Sequence, residues 1–313
     1  MKNGSQFSRS GGTQPAPGSR FVAFSLSRIG TLAAATVTQL VRMKILAFLV
    51  VFCFIVVAAG FAFPVMNPEQ QLKLLKDVSF GALQMFAIVI AIVSTALLLP
   101  RDLEDRTLYT ILSKPVPRFE YLIGKLLGVL LLIGGGLIVM DAVLSAVLWL
   151  RQNMVLADAI HALEHENSAT PENIAVQTAA VAKQGLTWGL HAATYAIFLK
   201  ASVVAALALM ISCFASSTLF TIVITFCFTI IGHGQQMFRD YFFHGSLSAV
   251  GEKVASIVLA IICPDLGLFD IVENIINGVT ATPPDLLNMT GMGLLYVVGY
   301  MVVAHLLFVE KEL

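Results

Sequence analysis

The chain has 313 residues, of which 58% are hydrophobic and 12% are charged. Soluble domains carry about 25% charged residues, so a water-soluble fold could not cover this much apolar surface. The 19 basic and 19 acidic side chains balance, which leaves no charge excess for binding nucleic acid. We therefore expect an all-α integral membrane protein that is embedded in the lipid bilayer.

The first 43 residues precede the long apolar segments. Residues 1–20 are rich in Ser, Gly, Pro and Gln and lack apolar periodicity, which is typical of a disordered tail. Residues 21–43 mix apolar positions with Ser, Thr, Arg28 and Arg42, a pattern that predicts an interfacial helix along the inner leaflet. The alternative is an extension of the first membrane span.

Six segments within 44–313 approach the length of a membrane-spanning helix, which is about 20 mostly apolar residues. They are 45–63, 80–99, 122–150, 192–214, 218–231 and 291–309. The apolar run 254–263 is too short to cross and is predicted to be re-entrant or interfacial. The polar stretch 151–190 is expected to be an outer loop that is partly helical.

The distribution of Lys and Arg predicts which side of the membrane each loop occupies, because cytoplasmic flanks carry the excess. Six spans place both termini on one side. Twelve basic residues flank the spans on that side, against six in the longer loops opposite. The charge asymmetry therefore predicts cytoplasmic termini and an extracytoplasmic 151–190 loop, in the cell membrane.

The segment after the second span reads RDLEDRTLYTILSKPVPRFE over residues 101–120. One half of a helix over this run carries Leu103, Thr107, Leu108, Ile111 and Leu112, and the other half carries most of the charges. Acidic residues in the first turn and Lys114 near the end complement the helix dipole, and Pro115 and Pro117 end the pattern. We predict a short amphipathic helix over 101–114 at the cytoplasmic surface.

The longer run RDLEDRTLYTILSKPVPRFEYLIGKLLG strongly resembles the segment between the second and third spans of type-two ABC exporter permeases. That segment combines an acidic helix bearing Thr-Leu, a Ser-x-Pro-Val-x-Arg turn and a Gly-Lys-x-x-Gly start of the next span. Weaker similarities occur at 208–217 and 307–313. The resemblance covers roughly residues 38–313 and implies a six-span permease domain over 44–313.

The resemblance also implies a mechanism, in which the helix after the second span is a coupling helix that seats in a cleft of a separate ABC ATPase subunit. Its contact face would comprise Glu104, Arg106, Thr107, Leu108 and Leu112, and its exit Pro115, Val116 and Arg118. A second permease copy or a close relative would complete the substrate path. The stretches 151–190 and 232–251 depart from the family's pattern and leave the substrate open.

Nucleotide chemistry is not expected in this chain, because no GxxxxGK[ST] phosphate-binding loop occurs. ATP and Mg would be held by the partner subunit, and this chain would have no cofactor and no enzymatic activity of its own. The four cysteines lack CxxC spacing, which argues against a structural zinc site.

The run from His161 to His165 matches the HxxEH pattern of inverted zinc peptidases. A third protein ligand is not evident, and a loop of about 40 residues is too small for a peptidase cleft. A solvated helical face is therefore favoured over incidental metal binding or proteolysis.

Two charged residues, Asp141 and Lys200, lie within predicted spans, where charges are rare and indicate function by default. Their compatible depths predict an ion pair in the bundle interior in at least one state, and separate snorkelling is the alternative. Such charges also support a rival function, that of a secondary transporter driven by an ion gradient. A membrane scaffold protein is the third possibility.

The predicted topology is testable by single-cysteine labelling in intact cells, with the four native cysteines replaced. Cysteines at both termini and at position 114 should resist an impermeant reagent, while a cysteine at position 165 should react, because of the basic excess on the terminal side. Labelling at position 114 would overturn the topology.

Overall fold

The computed structural model describes residues 25–42, 47–61, 68–104, 117–165, 170–215, 217–244, 263–279 and 281–310, and all regular elements among them are helices. The α-helices are α1 (Leu26–Arg42), α2 (Ala47–Phe61), α3 (Pro68–Glu104), α4 (Arg118–His165), α5 (Pro171–Gln184), α6 (Trp188–Phe214), α7 (Thr218–His244), α8 (Val272–Ile276) and α9 (Pro283–Glu310). A 3₁₀ turn at Leu266–Phe269 precedes α8. The all-helical prediction is confirmed for this part of the chain.

Five of the described helices, α3, α4, α6, α7 and α9, are long and apolar enough to cross a membrane by length and composition. The predicted first span corresponds to α2, which has 15 described residues. Its apolar stretch Leu49–Ala59 is shorter than the roughly 20 residues that crossing requires. A multi-span membrane protein is confirmed, whereas the count of six spans stays a prediction.

The helices α3 and α4 are much longer than the predicted spans 80–99 and 122–150. They contain 37 and 48 residues, or about 55 and 72 Å at 1.5 Å per residue, whereas the hydrocarbon core is about 30 Å thick. The start of the predicted outer loop is thus a continuation of α4. No Gly or Pro occurs within 151–165, so nothing in this run breaks the helix.

Polar contacts hold these helix extensions together beside α5. Arg151 Nη2 donates a hydrogen bond of 2.9 Å to Gln71 Oε1, which joins α4 to α3. Lys76 Nζ donates one of 2.7 Å to Gln184 Oε1, which joins α3 to α5. The partly helical 151–190 stretch is therefore packed against the bundle through both of these contacts.

The centre of the bundle is α6. In its apolar window 83% of the residues are buried, against 28–44% for the other four long helices. Ala201, Ala205, Ala206 and Ala208 are fully buried, and such small side chains let neighbouring helix backbones approach closely. The helices α3, α4, α7 and α9 all pack against α6, so α6 is the most buried of the long helices.

The helix α1 packs side by side with the first turns of α4, and the two run in the same direction. A methyl group added to Gly124 would lie 2.6 Å from Leu32 Cβ, and one added to Gly128 would lie 2.5 Å from Thr36 Cβ. Both distances are below van der Waals contact. The interfacial position of 21–43 stays a prediction, and this parallel packing also suits the alternative, an extension of the first span.

Two predicted features lie outside the described residues. They are the tail 1–20 and, apart from Cys263, the short apolar run 254–263. The fifth predicted span, 218–231, belongs to α7, which continues to His244.

The glycine contact between α1 and α4 predicts that Gly128→Val destabilises the protein by about 1–3 kcal/mol, because the added atoms cannot fit against Thr36. Thermal unfolding of the purified protein measures this. Gly299→Val is the matched control, since an added Cβ there meets nothing within 4 Å. Equal losses of stability in the two variants would contradict the tight packing.

Candidate functional site

The predicted coupling segment, 101–114, begins within the last turn of α3, which ends at Glu104. Most of its predicted contact face and exit lies outside the described residues: Arg106, Thr107, Leu108, Leu112, Pro115 and Val116. The docking face therefore stays a prediction. The structure does describe the end of the exit, from Pro117 onward, where α4 begins.

Arg118, the last predicted exit residue, caps the C-terminal end of α9. Its Nη1 donates to the backbone oxygens of Phe308, at 3.2 Å, and Val309, at 2.9 Å, and its guanidinium lies 6.0 Å from the centre of the Phe308 ring. The last carbonyls of a helix lack partners within the helix and carry partial negative charge. Arg118 thus ties the end of the segment to the last helix.

Glu120, two residues further on, connects the same exit to α1. Its side chain is only 1% exposed. Arg28 donates from Nε to Oε2 at 2.9 Å and from Nη2 to Oε1 at 3.0 Å, and the Ser25 backbone N–H also donates to Oε1 at 3.0 Å. This two-pronged Arg–carboxylate geometry is among the strongest that side chains form.

Aromatic contacts reinforce the junction between α4 and α9. Tyr121 stacks on Phe308 with ring centres 6.0 Å apart, and Phe119 meets His305 edge-on at 5.2 Å. The segment's exit is thus bound to the start of α1 on one side and to the end of α9 on the other. A displacement of the segment would act on both helices through these contacts.

A second set of polar side chains lies within the bundle and joins four elements. Lys200 on α6 is only 1% exposed, and its Nζ lies 3.6 Å from Asp270 Oδ2, which precedes α8. The same Nζ is 3.5 Å from His233 Nε2 on α7. Gln84 on α3 places its Nε2 3.4 Å from the same ring nitrogen.

The hydrogen bonds of His233 define its role in this cluster. Its Nδ1 lies 2.9 Å from the Thr229 carbonyl oxygen, and because that oxygen can only accept, the proton belongs on Nδ1. Nε2 is then an acceptor for the Lys200 ammonium or the Gln84 amide. The half-exposed Asp270 carboxylate supplies the opposite charge, so the buried cation is compensated.

In this conformation Asp141 and Lys200 pair with other residues, and their ion pair in another state of the transport cycle stays a prediction. Asp141 instead accepts from Thr194 Oγ1 at 2.7 Å and lies 2.6 Å from His191 Nδ1. Six residues separate Thr194 from Lys200, which leaves the two side chains about 120° apart around the α6 axis at 3.6 residues per turn. They consequently face different neighbours.

Comparison with known proteins identifies the chain's family. The family model described as ABC-2 family transporter protein matches residues 31–236. The chain belongs to this family. No match to a curated protein is found. The resemblance inferred from the 101–128 run is thereby confirmed, and the chain is an ABC-2 membrane permease.

The matched range of this ABC-2 permease runs from α1 to the first two-thirds of α7. It includes Glu120, Asp141, Lys200 and His233. The Gly-Lys-x-x-Gly start of the third predicted span, 124–128, supplies the two glycines that contact α1. The Gly-Lys-x-x-Gly motif, which forms part of the sequence resemblance, thus has a packing role in this structure.

The HxxEH run of the permease forms the exposed end of α4. His161 Nδ1 lies 3.3 Å from Glu164 Oε2, and both side chains are more than half exposed. Among the residues that the structure describes, no group of three or more His, Cys, Asp and Glu side chains could hold a metal ion. The geometry agrees with a solvated helical face.

Sequence reasoning did not identify several residues of these clusters, namely Glu120, His191, His233 and Asp270. Glu120 lies inside the quoted run, yet nothing local distinguishes it from a surface acid. His233 falls in the polar 232–251 stretch, which departs from the family's pattern and contains no motif that singles out this residue. Asp270 could be identified only from the tertiary structure, in which the chain that follows α7 folds back against α6.

The pairing of Lys200 with Asp270 and the alternative pairing of Lys200 with Asp141 predict different results in double-mutant cycles. Lys200→Met and Asp270→Asn should each lower stability, and the double variant should recover about 1 kcal/mol relative to their sum, a figure kept small because Asp270 is half exposed. Thermal unfolding provides the measurement. Lys200→Met with Asp141→Asn should be additive, and coupling in that cycle instead would restore the original pairing.

Proposed function

We propose that this ABC-2 permease is the membrane subunit of an ATP-driven exporter, whose energy comes from a separate ATPase subunit. The family match over 31–236 carries the proposal, because it includes the whole segment that resembles a coupling helix. In this proposal the ATPase seats on 101–114, with Glu104, Arg106, Thr107, Leu108 and Leu112 at the contact. ATP and Mg are bound by that partner.

The junction at the segment's exit supports a route for the coupling. Closure of the ATPase would push on the segment, and Arg118 and Glu120 would carry the displacement to α9 and α1. Arg118 makes charged hydrogen bonds to the terminal carbonyls of α9, and the buried Glu120 accepts charged hydrogen bonds from Arg28 on α1. Such bonds resist breaking. The permease would thus respond by moving α1, α4 and α9 together rather than by bending the exit.

A second permease copy, or a close relative, completes the transporter in this proposal. The termini and the segment 101–114 face the cytoplasm, where the ATPase is available, and transport runs outward.

Proteoliposomes with the ATPase added only outside would test the direction of transport. Permease molecules whose segment 101–114 faces outward should move an exported substrate into the lumen of the proteoliposome, where it accumulates.

A secondary transporter driven by an ion gradient is the second candidate, and the Lys200, His233 and Asp270 cluster favours it. Groups of this kind within spans form proton relays in such carriers. The two functions differ in their energy source. Transport that persists without ATP and stops when an ionophore dissipates the proton gradient would support the carrier.

The coupling prediction concerns Glu104→Lys and Leu108→Asp. Each should abolish the stimulation of ATPase activity and the co-purification of the ATPase subunit, because each places an opposite or new charge in the proposed contact. Membrane insertion and yield should be unchanged. Pull-down and phosphate release with the assembled complex measure the effect.

Glu172→Lys and Val176→Asp are the matched controls, since both positions are exposed on α5 and α5 belongs to the stretch 151–190 that is predicted to lie on the opposite side of the membrane. They should leave ATPase stimulation intact. Normal stimulation by Glu104→Lys and Leu108→Asp would remove the basis for docking at this segment.

A further inference from the structure

A groove of about 390 Å³ lies between α4 and α6, away from the coupling segment. Its lining residues are Gly134, Leu137, Ile138, Asp141, His191, Thr194, Tyr195 and Phe198. The two helices are antiparallel here, because Asp141 contacts Thr194 whereas Gly134 lies beside Phe198. The groove is therefore polar at one end and apolar at the other.

The groove has the dimensions of a small amphiphilic molecule. Seven residues separate Gly134 from Asp141 and Phe198 from His191, which is about 10 Å along each helix. Gly134 contributes no side chain, and this absence leaves room at the apolar end beside the Phe198 ring. Ile138 is 71% exposed at the rim, so the groove opens sideways towards the surroundings of the bundle.

The polar end favours a cation. Asp141 already accepts one hydrogen bond on Oδ1, from Thr194, and pairs with His191 through Oδ2. A carboxylate offers about four acceptor positions, so two remain for donors on a ligand. None of the described residues that line the groove is a Lys or Arg, and an anionic ligand would be repelled by Asp141.

Aromatic rings stand beside the same end. Trp188 is 80% exposed and meets His191 edge-on at 5.6 Å, and Tyr195 is a partly exposed lining residue. Aromatic faces attract organic cations by several tenths to about 2 kcal/mol depending on exposure. A carboxylate, two aromatic rings and an apolar wall together match the chemistry of a hydrophobic amine.

We propose that this groove binds hydrophobic organic cations, with the protonated amine at Asp141 and the apolar part along Leu137 and Phe198. The site depends on contacts within this chain alone. Its test needs no ATPase, and its outcome is independent of whether the coupling proposal holds.

The experiment uses Trp188 as the reporter, because the chain has two tryptophans, Trp149 and Trp188, and Trp149→Phe leaves one. The protein is placed in phosphatidylcholine nanodiscs at pH 8. Dodecylammonium should change Trp188 fluorescence saturably. Dodecanol and dodecyl sulfate, which share the chain but lack the positive charge, should bind at least about tenfold more weakly.

Asp141→Asn should weaken dodecylammonium binding by about tenfold or more, the effect of losing the charge on a charge-assisted hydrogen bond. Asp158→Asn, an exposed carboxylate on the same helix, is the control and should bind normally. If Asp141→Asn does not fold, Gly134→Leu tests the site by filling the apolar end. Gly135→Leu is its control, because a Cβ there meets nothing within 4 Å.

Three results would overturn the proposal. Equal binding of dodecanol and dodecylammonium would show an apolar groove without charge selectivity. Preference for dodecyl sulfate would show an anion site. No fluorescence change with any of the three compounds would indicate that the groove is covered, as by a second copy of the chain.

Discussion

The buried carboxylate of Glu120 determines how the helices meet at one end of the bundle. An ionised carboxylate that is 1% exposed needs several donors, because burying it without them costs far more than one hydrogen bond provides. Arg28 and the Ser25 backbone supply three, which fixes the start of α1 against the start of α4. From there α1 can continue along α4 only because Gly124 and Gly128 present no side chain.

Buried polar side chains in the interior of the bundle also need hydrogen-bonding partners, as Glu120 does. α6 is the most buried of the long helices, so the charged and strongly polar side chains on its buried face need partners from other elements. Thr194 finds Asp141 on α4, and Lys200 finds His233 on α7 and Asp270 before α8. These contacts connect α6 to its neighbours at separate heights and directions, whereas the fully buried alanines between them allow close but non-directional packing.

The sequence predicted the helical membrane fold and the family, because apolar length and an ordered motif are local signals, whereas the coupling segment at 101–114 stays a prediction. The sequence could not predict contacts that depend on rotation around a helix axis. Asp141 and Lys200 have compatible depths, yet Thr194 and Lys200 face different neighbours. The length of α4 was likewise missed, since polar residues after 150 looked like a loop although nothing there breaks a helix. His191 and Asp270 are single residues without a motif, and tertiary packing alone gives them partners.

The unbroken length of α4 makes it a lever. One end carries Arg118 and Glu120, and the other carries the polar extension that contacts α3 and α5. A helix about 72 Å long that pivots at its middle by about 5° moves each end by about 3 Å in opposite directions. A push at the Arg118 end would therefore displace the end that contacts α5 in the opposite direction, and Gly134, Gly135 and Gly136 are the positions at which the helix would bend most readily.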